Sequence, residues 1–598
     1  MRESKTKKQP GIPSLKPGKI IFFVLPVLYV ALTLLTISNF DVVTAIQEEK
    51  KGNNTIVEGL LFPSTSASPE ELFYVDPLLS DTNDEYTREL RTNLSFLLFS
   101  SLFKENTGNS LDNDLVKEYS FEDATTFKAT LRDDVVWHDG SRLTADDVIF
   151  TLNVINAIGQ DGFYFGAVNG SEIEYNAPSD YEVYIKLKTA DDKGEPKPNA
   201  AYLYELTFPV LPKHVLERYR PASLKKLPFT EFGKNPLGSG ILKFSTNRRI
   251  EMVFERNQDY YKDQVHFDEY IFRFYKDYDA LIKDAQLKNV HIITRKDVVG
   301  SDDLHENLNT IGMNNYKMTI KNKRLVLYFN LDYKGEENSP FSQFPYLRSS
   351  LQKVINRENI TQNLGGNCRE IYGPIDHTSW AFSNDFLQSQ QYNEEEFKKN
   401  LKELSYEMKD GYYQNQQGRL SFTLTYLSGD VRDVVARTLQ QDLKTVGVEV
   451  KLQEVSSSAP KPTAKNAQQV EEYEDYTSII SNRNFEALLS TSTQYQEPDR
   501  FSEWHSSRIE PPGLNISGFD NKIIDLTLVE GRVSTSVKER KAKYERFQKT
   551  FAEYAPAIYL LNPGMTVYYS DQLEDIEQIQ IIDTHYRYED IANWKFKT

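Results

Sequence analysis

Cysteine is almost absent. Cys368 stands alone in 598 residues, which excludes an internal disulfide framework and any zinc site built on thiolates. Histidine is nearly as scarce, with eight in the chain. None has a second histidine at i+3 or i+4 and no H-E-x-x-H occurs, so a paired-histidine metal site has no support. Positive charge is in deficit: 70 Lys and Arg against 87 Asp and Glu leave a net −17. Phosphate backbones are bound through Lys and Arg, so this balance argues against nucleic acid as a partner. Also lacking are a G-x-S-x-G elbow and a Cys-His arrangement at supporting spacing. These absences argue against a serine or cysteine hydrolase and a paired-histidine zinc enzyme, and no cofactor or metal is expected. A glycoside hydrolase stays open only because two carboxylates can always be chosen among so many acids.

The length suits two or three lobes with ample cores. One long run, IIFFVLPVLYVALTLLTISNF from Ile20 to Phe40, holds 21 residues without a charge. At ~1.5 Å per residue it is long enough to cross a ~30 Å hydrocarbon core. Arg2, Lys5, Lys7, Lys8, Lys16 and Lys19 precede it, while Asp41, Glu48 and Glu49 follow. The positive-inside bias predicts a cytoplasmic basic tail (1–19), an anchor in the lipid bilayer (20–40) and a tether (41–54) leading to an outside domain. A cleaved signal peptide ending at VVTA, 42–45, is the competing reading.

Beyond the tether, strand-like and helix-like periods alternate. YEVYIKLKTA, RLVLYFNLD (324–332) and LSFTLTYL (420–427) repeat every second residue, as half-buried strands do. DVVARTLQQDLKTVGVEVKLQEV reads as a helix with Val435, Leu439, Leu443 and Val446 on one face. Gly447 stops it, and a strand with Val448, Val450 and Leu452 follows. This alternation predicts α/β lobes. The polar stretch 456–477 reads as an exposed insertion.

The segment WHDGSRLTADDVIFTL, 137–152, gathers a Trp, a His and three Asp. Asp139-Gly140 is a turn pair. Thr144 is placed to cap a helix whose first turn carries Asp146 and Asp147, where carboxylates meet free amide donors. Val148, Ile149, Leu152 and Ile155 form its buried stripe. The segment is therefore expected to be scaffold rather than site.

TFKATLRDDVVWHDGSRLTADDVIFTLNVI resembles the signature segment of the family 5 extracellular solute-binding proteins, the oligopeptide-, dipeptide- and nickel-binding receptors of ABC importers. VEGLLFPS…FYVDP, NPLGSGILKF, ERNQDYYKD…FDEYIFRFYKD, LVLYFNLD…PFSQFPYLRSSLQKVINRENI, TLQQDLKTVGVEVKL and NISGFDNKIIDLTLVEG are similar to further family segments in the same order, over about 540 residues. The resemblance implies an α/β two-lobe clamshell of type II. Lobe one would span 55–325, with an extra subdomain at about 85–230 and a return from 560–598; lobe two would span 326–559. Hinge crossings would lie near Tyr328–Asn330 and Leu560–Asn562.

The resemblance also implies a ligand loop. Peptide-binding members carry Asp-x-x-x-Pro, whose Asp pairs with the peptide's α-ammonium. In STQYQEPDRFSEW, 492–504, that position holds the neutral Gln494. Glu497 and Asp499 are the nearby acids able to substitute, and Tyr495, Trp380 and Trp504 are the aromatics expected in the cleft. The scattered histidines make a nickel ligand weaker than a peptide, and aromatics with neutral amides would also suit an oligosaccharide. The expectation is a monomeric, membrane-tethered receptor that passes a peptide or similar oligomer to an ABC permease. A surface sensing or adhesion receptor with the same fold is the alternative.

Overall fold

The structure is a computed structural model that describes residues 54–597 apart from 63–74, 76, 79–84, 107–109, 124, 159–172, 188–198, 225–230, 297–306, 334–338, 366, 457–475, 495, 511–512, 535 and 578–581. The expected anchor, and the tether up to Asn53, lie outside the described residues. Among those described, no helix is long and apolar enough to cross a membrane.

Two large sheets organise the chain from Ile56 onward. In spatial order the first contains Met313–Thr319, Gly564–Ser570, Ile292–Lys296, Thr55–Leu61, Glu269–Tyr275, Glu251–Arg256 and Leu242–Arg248. The second contains Arg369–Glu370, Ala557–Asn562, Lys323–Phe329, Ala487–Thr493, Ser421–Leu427 and Glu449–Val455. A four-stranded antiparallel sheet, Val116–Phe121, Thr126–Leu131, Glu182–Leu187 and Ile173–Ser179, forms a subdomain. Its apolar face, with Phe127, Ala129, Val183 and Ile185, joins the same continuous core as the first sheet.

The second sheet shows how local pattern becomes architecture. Leu325, Leu327 and Phe329 enter the core on one face, and Val326 and Tyr328 enter the core on the other. Side chains alternate along a strand, so a seven-residue run buried at every position needs cover on both faces. Ser421–Leu427 and Glu449–Val455 run parallel, joined by the helix Val431–Thr445. Gly447, at φ +79°, makes the turn between that helix and the second strand.

The chain passes between the two large sheets twice, at 320–322 and at Pro563. The first crossing corrects the expectation of Tyr328–Asn330: Tyr328 sits deep in a strand with both faces packed, and the break falls at its polar start. The second lies one residue beyond the expected Leu560–Asn562. Proline has no N–H to donate, so the ladder is interrupted there and the chain can change sheets. The crossings lie side by side, with Ile320 N donating to Pro563 O at 3.0 Å. After the second, the tail locks into the first lobe. Glu58, fully buried, accepts from Arg587 at 3.1 Å and from the hydroxyls of Tyr270 and Tyr588 at 2.7 Å each.

The WHDG segment is scaffold by its contacts. Trp137 is 1% exposed. His138 is buried and pushed down to about 4 by desolvation, so it is neutral. Its Nδ1 accepts from Gly238 N and its Nε2 donates to Gly240 O, both at 3.2 Å. A side chain on either glycine would strike the backbone of residues 97–99, which explains the Gly-Ser-Gly of that loop. The helix Ala145–Ile158 is capped differently from the expectation on Thr144. Asp147, buried, accepts from Thr144 N and from Lys213 N at 2.9 Å each. Asp146 is exposed and meets only Lys213 Nζ at 2.6 Å. Asp147→Ala should therefore lower stability by about 1–3 kcal/mol through two orphaned amides, and Asp146→Ala by about 0–1 kcal/mol. Chemical denaturation of the two variants checks this, and equal losses would contradict it.

Candidate functional site

The loop that follows Ala487–Thr493 is built from the hinge outward. Gln494 N donates to Asn322 O at 2.9 Å, extending the sheet ladder to the first crossing. The chain then turns toward the first lobe. Gln496 N donates to Glu105 Oε2 at 3.2 Å, and its Nε2 donates to Asn106 O at 2.8 Å. Glu105 ends the short first-lobe strand Phe103–Glu105. Lys323 Nζ reaches Glu89 on the first-lobe helix Glu85–Leu98 at 2.9 Å. Ala200 N donates to Arg532 O at 2.9 Å. Asn367 adds a further junction, accepting from Thr319 Oγ1 at 3.2 Å and donating to Thr566 Oγ1 at 3.3 Å, so the lobes touch at several polar places.

On the lobe-two side of the first crossing lies a polar pocket lined by Lys321, Asn322, Arg324, Asp376, Thr378, Ser379, Gln494 and Gln496, with a cavity of about 20 Å³. That volume holds roughly one water molecule. Asp376 shapes one wall: Oδ1 accepts from Thr378 N at 2.9 Å and Thr378 Oγ1 at 2.7 Å, while Oδ2 pairs with Arg369. Pro374 O accepts from Arg324 and, at 2.8 Å, from Arg500 Nε. Gly373 is required just before it, since a Cβ there would lie 2.4 Å from the Phe386 ring.

The expected site residues divide sharply. Gln494 is 4% exposed and lines the pocket; its Nε2 donates to Glu503 Oε2, while its Oε1 has no partner. Glu497 and Asp499 are each paired inside lobe two, Glu497 with Arg540 and Asp499 with Arg532 (Nε at 2.9 Å). Neither is a free carboxylate for a solute. Trp380 is half-buried, edge-on to Tyr544, with the Arg540 guanidinium 5.1 Å over its ring. Trp504 is core, which corrects its expected place in the cleft: it is 1% exposed, stacks on Tyr328, packs against Phe551 and donates Nε1 to Tyr559 OH at 3.3 Å. The short helix Phe501–Trp504 turns it back into the lobe. Tyr495 lies outside the described residues.

Sequence reasoning missed Glu105, Glu503, Lys321 and Arg324. Glu105 and Glu503 are each pushed up to about 7, chiefly by desolvation. Around Glu503, Arg500 and Arg324 oppose that rise, while Arg324 is itself pushed down to about 10 by burial and by Arg500 beside it. Glu105 has backbone and amide donors from Gln496 but faces the charges of Asp583 and Glu497.

Two lobes joined by adjacent crossings, with a polar pocket beside the first crossing, have the architecture of a hinged binding protein. The family profile of bacterial extracellular solute-binding proteins, family 5 (middle region), matches residues 111–508. The chain belongs to that family, whose members are transport receptors rather than enzymes. The oligopeptide-binding protein AppA of Bacillus subtilis is 27% identical over 505 residues, covering 82% of this chain and 85% of AppA. The solved structure of AppA with a nonapeptide has a TM-score of 0.66 at 23% identity, covering 91% of this chain and 99% of that one. NikZ from Campylobacter jejuni with Ni(L-His) has 0.68 at 22%, covering 90% and 99%. Both structures share the fold.

The buried Glu105 carboxyl fixes the sign of a pH effect. Its pKa is about 7 here against 4.5 when solvated. Below the solvated value it is protonated in either state and burial is unopposed. Between the two values folding takes up a proton, so stability falls as pH rises, and above about 7 the full penalty applies. Over that window the loss accrues at up to about 1.4 kcal/mol for each pH step of one. Glu105 should therefore contribute a decline in melting temperature from pH 5 to pH 8, read as a steeper downward slope in the native chain than in Glu105→Gln, which can still accept from Gln496 N. A slope unchanged in that variant would contradict the assignment.

Proposed function

We propose that the chain captures an oligopeptide-sized solute between its lobes outside the cytoplasm and delivers it to an ABC permease. The observation that carries this reading is the junction of the lobe-two loop with Glu105 and Asn106 across the hinge pocket. A cavity of about 20 Å³ is far too small for an oligomer, so on this reading the contacts of Gln496 are the latch of a closed arrangement, and the lobes part about residues 320–322 and Pro563 to admit the solute. Sequence similarity to AppA over most of both chains supports the peptide class. Residues 20–40 would tether a monomeric binding domain to the outward-facing side of the membrane.

An oligosaccharide is the second reading, favoured by the amides of Asn322, Gln494 and Gln496 at the pocket. Incubating the full chain with a mixed tryptic peptide pool and with a pool of oligosaccharides, then identifying what stays bound through size exclusion, separates the two. The expected result is about one retained peptide per chain. Retention of sugars alone would replace the peptide reading, and turnover of either pool would overturn the receptor reading altogether.

A further inference from the structure

We infer that the hinge pocket receives an anionic group of the solute, a carboxylate, with Lys321 and Arg324 as its charge partners. This rests on the solute-receptor reading and specifies the chemistry of the end of the solute that docks first.

The pocket holds an imbalance. Lys321 is 8% exposed and its ammonium makes no hydrogen bond or ion pair with a described residue. Arg324 is 3% exposed; it donates to Pro374 O, but its Nε has no partner. The one acid in the lining, Asp376, is already committed to Arg369 and to the Thr378 turn. Behind the lining, Glu503 faces Arg324, Arg500 and Asp499, while Asp583 and Glu105 bond to Asn322 and Gln496. Within the lining itself Lys321 and Arg324 stand against Asp376 alone, one cation in excess. An enclosed charge without a partner is unfavourable, and an arriving counter-charge removes that penalty. Burial holds the Lys321 ammonium below the usual lysine range, as expected of a cation short of partners.

The neutral groups are compatible with the same docking. Asn322 Oδ1, Gln494 Oε1 and Gln496 Oε1 are buried without partners. Their nitrogens are held by Asp583, Glu503 and Asn106 O, so the three oxygens stay as acceptors and suit N–H or O–H groups beside the solute's carboxylate rather than the carboxylate itself. An ammonium placed here would find the amide oxygens of Asn322, Gln494 and Gln496 but would also meet the charges of Lys321 and Arg324. The two cations, and not the amides, set the preference for an anionic end.

Two synthetic probes decide the sign. Acetyl-pentaalanine has a carboxylate and no ammonium; pentaalanine amide has the reverse. Calorimetry with the full chain should show acetyl-pentaalanine binding at least tenfold more tightly. Lys321→Met should remove that preference, and Lys321→Arg should retain it, with melting temperature confirming that both variants are folded. Equal binding of the two probes, a preference for the amide, or a preference unchanged in both Lys321→Met and Arg324→Met would overturn the inference while leaving the receptor reading intact. If neither peptide binds, the peptide class falls, and mass spectrometry of the solute that co-purifies with the chain decides the charge. An anionic solute lost from Lys321→Met would support the inference, and a neutral or cationic one would overturn it.

Discussion

Asn562 ties the two crossings together at the hinge. It is fully buried at the end of the strand Ala557–Asn562, and its Nδ2 donates to Lys321 O at 3.1 Å and Lys323 O at 2.7 Å. Its Oδ1 accepts from Arg369 at 2.9 Å. One side chain thereby holds both crossings and the edge strand Arg369–Glu370 in register. Since Asn562 sits one residue before the crossing at Pro563, this cross-link fixes the lobe-two ends of both crossings beside each other. The pocket lies at that point because Lys321, Asn322 and Arg324 are the residues the crossing presents.

The electrostatics around the hinge follow from the same placement. Bringing the loop 494–499 against the first lobe buries Glu105, and bringing Arg500 under Pro374 buries Arg324. Carboxyls are driven up and cations down wherever desolvation exceeds pairing. Glu497 shows the competition within one residue: burial pushes it up to about 7 although Arg540 beside it pulls the other way. Buried charge that is poorly matched within the protein costs stability, and such sites are where a solute can supply the missing partner. The well-matched Glu58–Arg587 pair stabilises the tail against lobe one and leaves nothing for a ligand to complete.

Much of the scaffold was legible because its signals are local. The alternation in RLVLYFNLD, the stop at Gly447 and the helix after Thr144 each depend on residues a few positions apart, and the family segments recur in chain order. Gln494 was found the same way, by counting back four places from Pro498. Trp504 was misplaced because residue type does not reveal which way a single helical turn folds, and here it folds into the core. Glu105 and Gln496 are 391 residues apart, and no pattern along the chain links them. Lys321 and Arg324 read as the polar start of a strand; only the meeting of the two crossings makes them the floor of a pocket.

If the lobes close over the pocket by hinge motion, a distance measured across the cleft must change when solute binds. Spin labels at Glu118, exposed in the subdomain sheet, and Lys451, exposed in the lobe-two sheet, can be placed on a chain with Cys368→Ser so that no native thiol competes. Pulsed dipolar spectroscopy with and without the solute retained from the peptide pool reads the separation of the lobes. Closure predicts a broader, longer distribution without solute that collapses to one shorter distance with it. An identical distribution in both conditions would contradict closure by hinge motion.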